Sequence, residues 1–506
     1  MFTRVLSSTV SGVSVVNVWV EVDVSDGLPV FLMVGYLSSQ VKEAQDRVRT
    51  ALRNAEISMP PKRITINMAP ADVRKEGARF DLPIAIAILA ASGFLPKQAT
   101  KGILILGELG LDGKICDVKG VLPSVIYAKE CGYDSCMVPA LNYKEAKSVE
   151  GVKVIGVSNL QEAIDYFKFG KIHEIDSLKE EPREEDSEDF SDIYGQELVK
   201  RAAEISVSGF HNLLLIGPPG SGKSMLAKRI LGLLPKLSLE ESIEISKIYS
   251  IAGLLPKGGG LKKQRPLRAP HHTVSPQALA GGGRFPSPGE ITLAHRGILF
   301  LDEMPEFSRK SLEILRQPME EHKITISRSQ GSYEFPAHFL LLAAMNPCPC
   351  GFYPDMNRCS CQATQINQYK NRISQPLLDR IDLCVEAAAI SYDEIKGRGK
   401  SGESSKIIRE RVFKVHQIQR KRYKNQGIFF NGELGPKEIK EYCMLSKEAE
   451  GLLEKSFEKL KLSARGYHRI LKVARTIADM EESDIIDVSH IQEAICYRSI
   501  DKKYWK

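Results

Sequence analysis

The chain lacks any long apolar run. Its longest candidate, Leu82 to Leu95, is interrupted by Pro83, Ser92 and Gly93, and a membrane-spanning helix needs roughly 18 to 20 apolar residues. It also lacks an export signal. Arg4 is followed not by an apolar segment and a cleavage site but by Val13, Val15, Val18 and Val20, which alternate as a strand does, so the cytoplasm is the expected compartment. Cysteine is sparse, with ten in 506 residues, which excludes a secreted disulfide scaffold and implies reduced thiols. No charge sign dominates: the net charge of +7 is compatible with a polyanionic partner but does not establish one. With 43% hydrophobic and 26% charged residues, the composition excludes wholesale disorder and fibrous repeats.

What is present is too long for one core, because single cores stop growing near roughly 250 to 300 residues. Residues 1–170 alternate short apolar strands with helical stretches, such as Val13 to Val24 and Gln40 to Ala55, and read as an α/β unit. Residues 171–190 are acidic, relieved by Lys179 and Arg183, and read as a solvated linker. Residues 191–390 contain the apolar strands Asn212 to Ile216, Gly297 to Leu301 and Phe339 to Ala343. Strands apolar on both faces predict a parallel sheet covered by helices. Residues 391–506 open on the polar stretch Lys396 to Ser405, then keep helical periodicity to Arg498, predicting a small helical bundle. The fold class is therefore α/β, with a helical C-terminal unit.

The strongest chemical signal begins where strand Leu213 to Ile216 runs into Gly217-Pro218-Pro219-Gly220-Ser221-Gly222-Lys223-Ser224 and a helix opening at Met225. A strand, this loop and a helix form the context a phosphate loop requires. Glycines let successive backbone N–H groups converge on phosphates, and the helix N-terminus adds a favourable dipole. Lys223 supplies charge to the terminal phosphates, and Ser224 is the predicted magnesium ligand. Downstream, the apolar strand Ile298 to Leu301 ends in Asp302 and Glu303: Asp302 can hold magnesium and Glu303 can polarise water. A third apolar strand ends at Asn346, placed to sense the γ-phosphate. ATP and Mg²⁺ are the implied cofactors.

These segments, with Arg268-Ala269-Pro270-His271-His272-Thr273, Gly281-Gly282-Gly283, Pro288-Gly289-Glu290-Ile291 and Ala344-Met345-Asn346-Pro347-Cys348, resemble the AAA+ ATPases. The match is to the magnesium-chelatase-like group that contains the competence proteins of ComM/YifB type, and it extends over essentially the whole chain. The resemblance implies a hexameric ring with ATP between subunits. It makes Arg380, in Leu377-Leu378-Asp379-Arg380-Ile381-Asp382-Leu383, the neighbour's catalytic finger, acting on charge that develops on the transferred phosphoryl group. It makes Arg465, near Arg469 and Arg475, the phosphate-contacting arginine of a second sensor helix. The third unit then becomes a helical lid.

Residues 1–170 resemble the proteolytic domain of Lon-type proteases, at Arg74-Lys75-Glu76-Gly77-Ala78-Arg79 and from Gly107-Glu108 to Gly120. That family needs a serine activated by a lysine. Here Arg79 and Leu122 occupy those positions, so no protease activity is expected, and the unit is assigned to ring assembly or DNA contact.

Thr325 to Arg328 and Tyr333 to Phe335 flank Ser329-Gln330-Gly331-Ser332 and predict a β-hairpin just before the third strand. Related ring helicases point such a hairpin into the pore, and Arg328 matches their DNA-contacting basic residue. His271 and His272 are read as a second pore element. The basic run Arg409, Arg411, Lys414, Arg420, Lys421, Arg422 and Lys424 is either a further phosphate contact or a solvated helix face. Cys348, Cys350, Cys359 and Cys361 form two C-x-C pairs that can close a tetrahedral zinc site or remain reduced thiols. The leading reading is a ring-forming, ATP-driven DNA motor that migrates branched junctions in homologous recombination and natural transformation. The rival reading is a chelatase- or chaperone-type ATPase that remodels a protein.

Overall fold

The structure, a computed structural model, describes residues 1–96, 98–175, 189–283, 286–328, 331–388 and 402–505. Most of the predicted acidic linker and of the polar stretch from Lys396 lies outside them. Among the described residues, no helix is long and apolar enough to cross a membrane.

Valines at every second position of Ser14–Ser25 are buried, namely Val18, Val20, Val22 and Val24, as period-2 alternation dictates. This strand pairs antiparallel with Phe2–Ser11 through a tight turn at Gly12, whose φ of 65° suits glycine. A seven-stranded mixed sheet follows, in the order Phe31–Val34, Arg63–Ala69, Ser14–Ser25, Phe2–Ser11, Ile103–Ile105, Ser135–Pro139, Lys153–Val157. The apolar run noted in the sequence is helix Asp81–Ala91, every residue of which is buried against this sheet. A helix apolar all round is a core helix.

The second sheet is wholly parallel, as predicted. Its order is Leu267–Arg268, Ile298–Leu301, Leu340–Met345, Leu213–Ile216, Leu383–Glu386. All residues of its three central strands are buried. Ligands of such sheets bind beyond the carboxyl ends of the strands, where Gly217, Asp302 and Asn346 gather.

The C-terminal helices Ser405–Arg422, Pro436–Tyr442, Lys447–Leu460, Ala464–Met480 and Val488–Trp505 pack on one another, and their apolar core continues into the sheet. Val412, Ile470, Val473 and Ile477 share one apolar cluster with Leu213, Leu215 and Leu342 of the sheet. Helical periodicity shows that a face is buried but not which element covers it.

The two sheets are joined by helix Leu239–Ala252, which lies against Val121–Glu130. Gly120 N donates to Ser250 O at 2.9 Å, and Ser250 Oγ donates to Glu145 at 2.8 Å. Lys257 pairs with Asp117 at 2.8 Å.

Candidate nucleotide site and its surroundings

The phosphate loop turns through Gly220 and Gly222, with φ of 79° and 77°, before helix Lys223–Leu231 begins. Both values fall where a side chain would be strained. Gly217 is packed so closely that a Cβ would stand 2.3 Å from Ala387 O. The loop from Pro219 onward, with Met225, Asp302, Glu303, Met345 and Asn346, lines a cavity of about 380 Å³.

Lys223 Nζ donates to Gly217 O and Pro218 O, both at 2.9 Å, and to Asn346 Oδ1 at 3.2 Å. Burial lowers the Lys223 pKa, opposed by the charges of Asp302 and Glu303. Lys223 and Asn346 therefore meet across the loop. Ser224 Oγ donates to Asp302, which joins the helix start to the end of the neighbouring strand. These are hard oxygen donors, as magnesium prefers.

Glu303 has φ 50°, a left-handed conformation uncommon for a side-chain-bearing residue. Its carboxylate lies 3.5 Å from His272 Nδ1. Sequence reasoning placed His272 in a pore element; the structure sets it beside the acid assigned to water. Gln196 was also missed. Its side-chain amide donates to Ser221 O at 2.9 Å and ties the phosphate loop to the start of helix Glu197–Gly209. A Gly-Gln pair before an amphipathic helix was the only local signal for it.

Arg380 and Arg465 do not line this cavity. Arg380 Nη2 lies 2.5 Å from Glu320 and its Nη1 donates to Pro376 O at 2.6 Å. Arg465, largely exposed, lies 3.6 Å from the same carboxylate oxygen. The other two arginines of helix Ala464–Met480 are buried and engaged. Arg469 donates to Ile381 O at 3.2 Å and Arg475 to Asp479 at 3.1 Å.

The hairpin is present as Lys323–Arg328 paired with Gly331–Pro336; Ser329 and Gln330 lie outside the described residues. Arg328 is exposed, and its Nε donates to Gly283 O at 3.4 Å. The basic run is divided: Lys414, Arg420, Lys421 and Lys424 are exposed, whereas the three other residues are engaged. Arg409 donates to Gly232 O at 2.8 Å, Arg411 pairs with Glu204 at 2.6 Å, and Arg422 pairs with Asp479 at 2.5 Å. Their partners are too distant in sequence for a local reading to find.

At the former dyad, Arg79 is buried and donates to Ser124 Oγ at 2.8 Å. Burial pulls its pKa down to about 10. Leu122 is also buried, so neither position offers a nucleophile or a base.

The four cysteines come together, with ligand atoms all within 4.8 Å of one another. Cys348 Sγ lies 3.4 Å from Cys350 Sγ and 3.8 Å from Cys359 Sγ, and Cys350 lies 3.6 Å from Cys359.

A parallel sheet that delivers a phosphate loop, an acidic pair and a polar asparagine to one cavity defines a P-loop ATPase of AAA+ architecture. Comparison with known proteins narrows this class. Residues 189–395 match the family described as magnesium chelatase, subunit ChlI. Residues 20–142 match subunit ChlI of Mg-chelatase, and residues 402–498 match its C-terminal part. The chain is 45% identical over 505 residues to the competence protein ComM of Haemophilus influenzae, covering 98% of this chain and 97% of that protein. It is 44% identical over 501 residues to YifB of Escherichia coli, covering 97% and 96%. The chain belongs to the ComM/YifB family of magnesium-chelatase-like AAA+ ATPases. More distant part matches are Lon protease 2 of Bacillus subtilis, 27% identical over 25% of this chain and 23% of that protein, and the maternal DNA replication licensing factor mcm6 of Xenopus tropicalis, 21% identical over 60% and 36%.

Proposed function

We propose that this ATPase is a ring-forming DNA motor that drives branch migration during homologous recombination and uptake of foreign DNA. One observation carries the reading. Arg328 sits exposed on a hairpin whose second strand, Gly331–Pro336, leads within a few residues into strand Leu340–Met345 and Asn346. A load on the DNA-facing residue and recognition of the γ-phosphate thus lie on one short stretch of chain. The competence role in one relative's name, and DNA replication licensing in another's, support the choice of DNA.

In this reading Lys223 and the loop amides hold the triphosphate, and Glu303 orients and deprotonates the attacking water. Asn346 senses the γ-phosphate. Magnesium, held by Ser224 and Asp302, would neutralise phosphate charge. Arg380 and Arg465 serve the site of the next subunit, in a ring assigned as a hexamer. Residues 1–170, 191–390 and 391–506 act as Lon-like platform, motor and lid, with 171–190 as linker.

The cysteine cluster is read as a structural zinc site. Zn–S bonds of about 2.3 Å in a tetrahedron place sulfurs about 3.8 Å apart; the separations among Cys348, Cys350 and Cys359 are 3.4, 3.6 and 3.8 Å, and with Cys361 all four sulfurs lie within 4.8 Å of one another.

The test is ATP turnover with single-stranded, duplex and branched DNA. Stimulation and low-salt binding are expected. Turnover indifferent to all three, with none bound, would sink the reading and favour the rival, a chelatase-type ATPase remodelling a protein partner.

A further inference from the structure

The loop that carries the four cysteines begins two residues after the sensor. Strand Leu340–Met345 ends, Asn346 accepts from Lys223, and Pro347 leads directly into Cys348, which is fully buried. Gly351 N then donates to Cys348 O at 3.0 Å, and Tyr353 N donates to Cys348 Sγ at 3.4 Å. These bonds wrap the backbone of 348–353 around the first sulfur as a tight knuckle.

The outer surface of that knuckle rests on the phosphate loop. Gly351 has φ +86°, and a Cβ built there would stand 2.3 Å from Pro219 Cδ and 2.8 Å from its Cγ. No side chain fits between the two backbones. Pro219 itself lines the nucleotide cavity. On the opposite side, Gly217 is in equally close contact with Ala387. The loop is therefore gripped at both ends of Gly217-Pro218-Pro219, by the end of strand Leu383–Glu386 on one side and by the cysteine knuckle on the other.

A phosphate loop works by holding several N–H groups in a fixed, converging arrangement, and small displacements of such groups are costly. Ala387 is held by the sheet, since its N–H donates to Ile216 O at 2.8 Å. The knuckle has no sheet to hold it. Tyr353 at its end packs against Tyr504, with ring centroids 6.4 Å apart, and Cys348 and Cys350 at its start meet Cys359 and Cys361, which lie beyond a stretch containing Pro354, Asp355 and Asn357.

We infer that a zinc ion on Cys348, Cys350, Cys359 and Cys361 serves as a buttress for the nucleotide site, pressing Gly351 against Pro219 so that metal loading sets the affinity for ATP. The inference rests on the zinc reading given above. Gly351 and Pro219 act as positioning residues, and the metal takes no part in the chemistry of hydrolysis.

The experiment uses the full chain purified in reductant. Its metal content is measured by mass spectrometry. One portion is stripped with a strong chelator and returned to magnesium buffer, and binding of a fluorescent, non-hydrolysable ATP analogue is titrated in both portions. One zinc per chain is expected, with about tenfold weaker binding after stripping, equivalent to about 1.4 kcal/mol, restored by added zinc. Pro219→Ala, which removes the ring under Gly351, is expected to bind the analogue equally with and without zinc. Zinc present but wild-type affinity unchanged by stripping overturns the buttress and leaves the metal site standing. No zinc in protein that binds the analogue overturns both. Should stripping unfold the chain, zinc-loaded Gly351→Ala decides: weaker binding at full zinc content supports the inference, and wild-type affinity overturns it.

Discussion

Arg380 and Arg465 converge on one carboxylate oxygen of Glu320, at 2.5 and 3.6 Å. Two guanidiniums sharing one carboxylate leave a net positive charge, and neither lines the nucleotide cavity of its own chain. A triphosphate on a neighbouring subunit is a partner that such a pair suits.

Arg380→Ala is therefore expected to bind ATP normally and to lose turnover by about 100-fold or more. Lys223→Ala is expected to lose nucleotide binding. If Arg380 acts across the proposed ring interface, each variant damages a different half of a shared site and mixed rings contain some intact interfaces. Steady-state ATPase of the mixture should exceed that of either variant alone. If mixing restores nothing although the subunits co-assemble, Arg380 does not act across an interface.

Glu303→Gln separates binding from hydrolysis. The amide keeps the size of the side chain but cannot take a proton from water, so ATP affinity should persist while turnover falls at least 100-fold. Equilibrium binding together with single-turnover hydrolysis checks this. Wild-type hydrolysis by the variant would remove Glu303 from the role of base and direct attention to the neighbouring His272, 3.5 Å away.

The parts of this site that were legible in the sequence are those encoded locally. Gly217 to Ser224 is contiguous, and its glycines announce backbone angles that few other residues adopt. Strands Leu213–Ile216, Ile298–Leu301 and Leu340–Met345 are apolar on both faces, which announces a parallel sheet, and Gly217, Asp302 and Asn346 after them mark the strand ends that face ligand. Glu320, Gln196 and His272 were not legible as site residues. Each is a polar residue on a short helix or loop whose partner lies elsewhere in the chain, and no periodicity records such a partner. The same reason hid the pairing of Arg411 with Glu204 and of Arg422 with Asp479: a basic run looks solvated until its acids are found. The shared core of sheet and C-terminal helices was hidden because an amphipathic face does not name what covers it.

Arg328→Ala addresses the DNA reading. Its side chain is exposed and, among the described residues, it donates to backbone oxygens of Gly283 and Ser327, so the fold should tolerate its loss. DNA affinity should fall, and the dependence of binding on salt should become shallower by about one phosphate contact. Basal ATPase should remain. Unchanged affinity and salt slope would assign Arg328 to the solvated surface.

Two histidines make stability depend on pH. His416 is almost completely buried and its pKa is held at about 4, by burial first, with Arg265 and Arg420 adding repulsion against the opposing contributions of Val207 O and Glu241. His322 is likewise at about 4, from burial and then from His338, with Glu433 opposing. In the unfolded chain both return to about 6.5. Between these values the unfolded state binds protons that the folded state refuses, so stability rises with pH there. The contribution is complete above about pH 6.5 and is lost progressively as pH falls toward 4, by roughly 3 kcal/mol for each group. Urea midpoints at pH 7.5 and pH 5 should therefore differ, with the lower midpoint at pH 5. His416→Gln retains a side-chain N–H for Val207 O, which His416 Nε2 meets at 2.9 Å, but has nothing to protonate. Its midpoints at the two pH values should lie closer together than those of the wild type, and an identical spread would show that His416 does not titrate on unfolding.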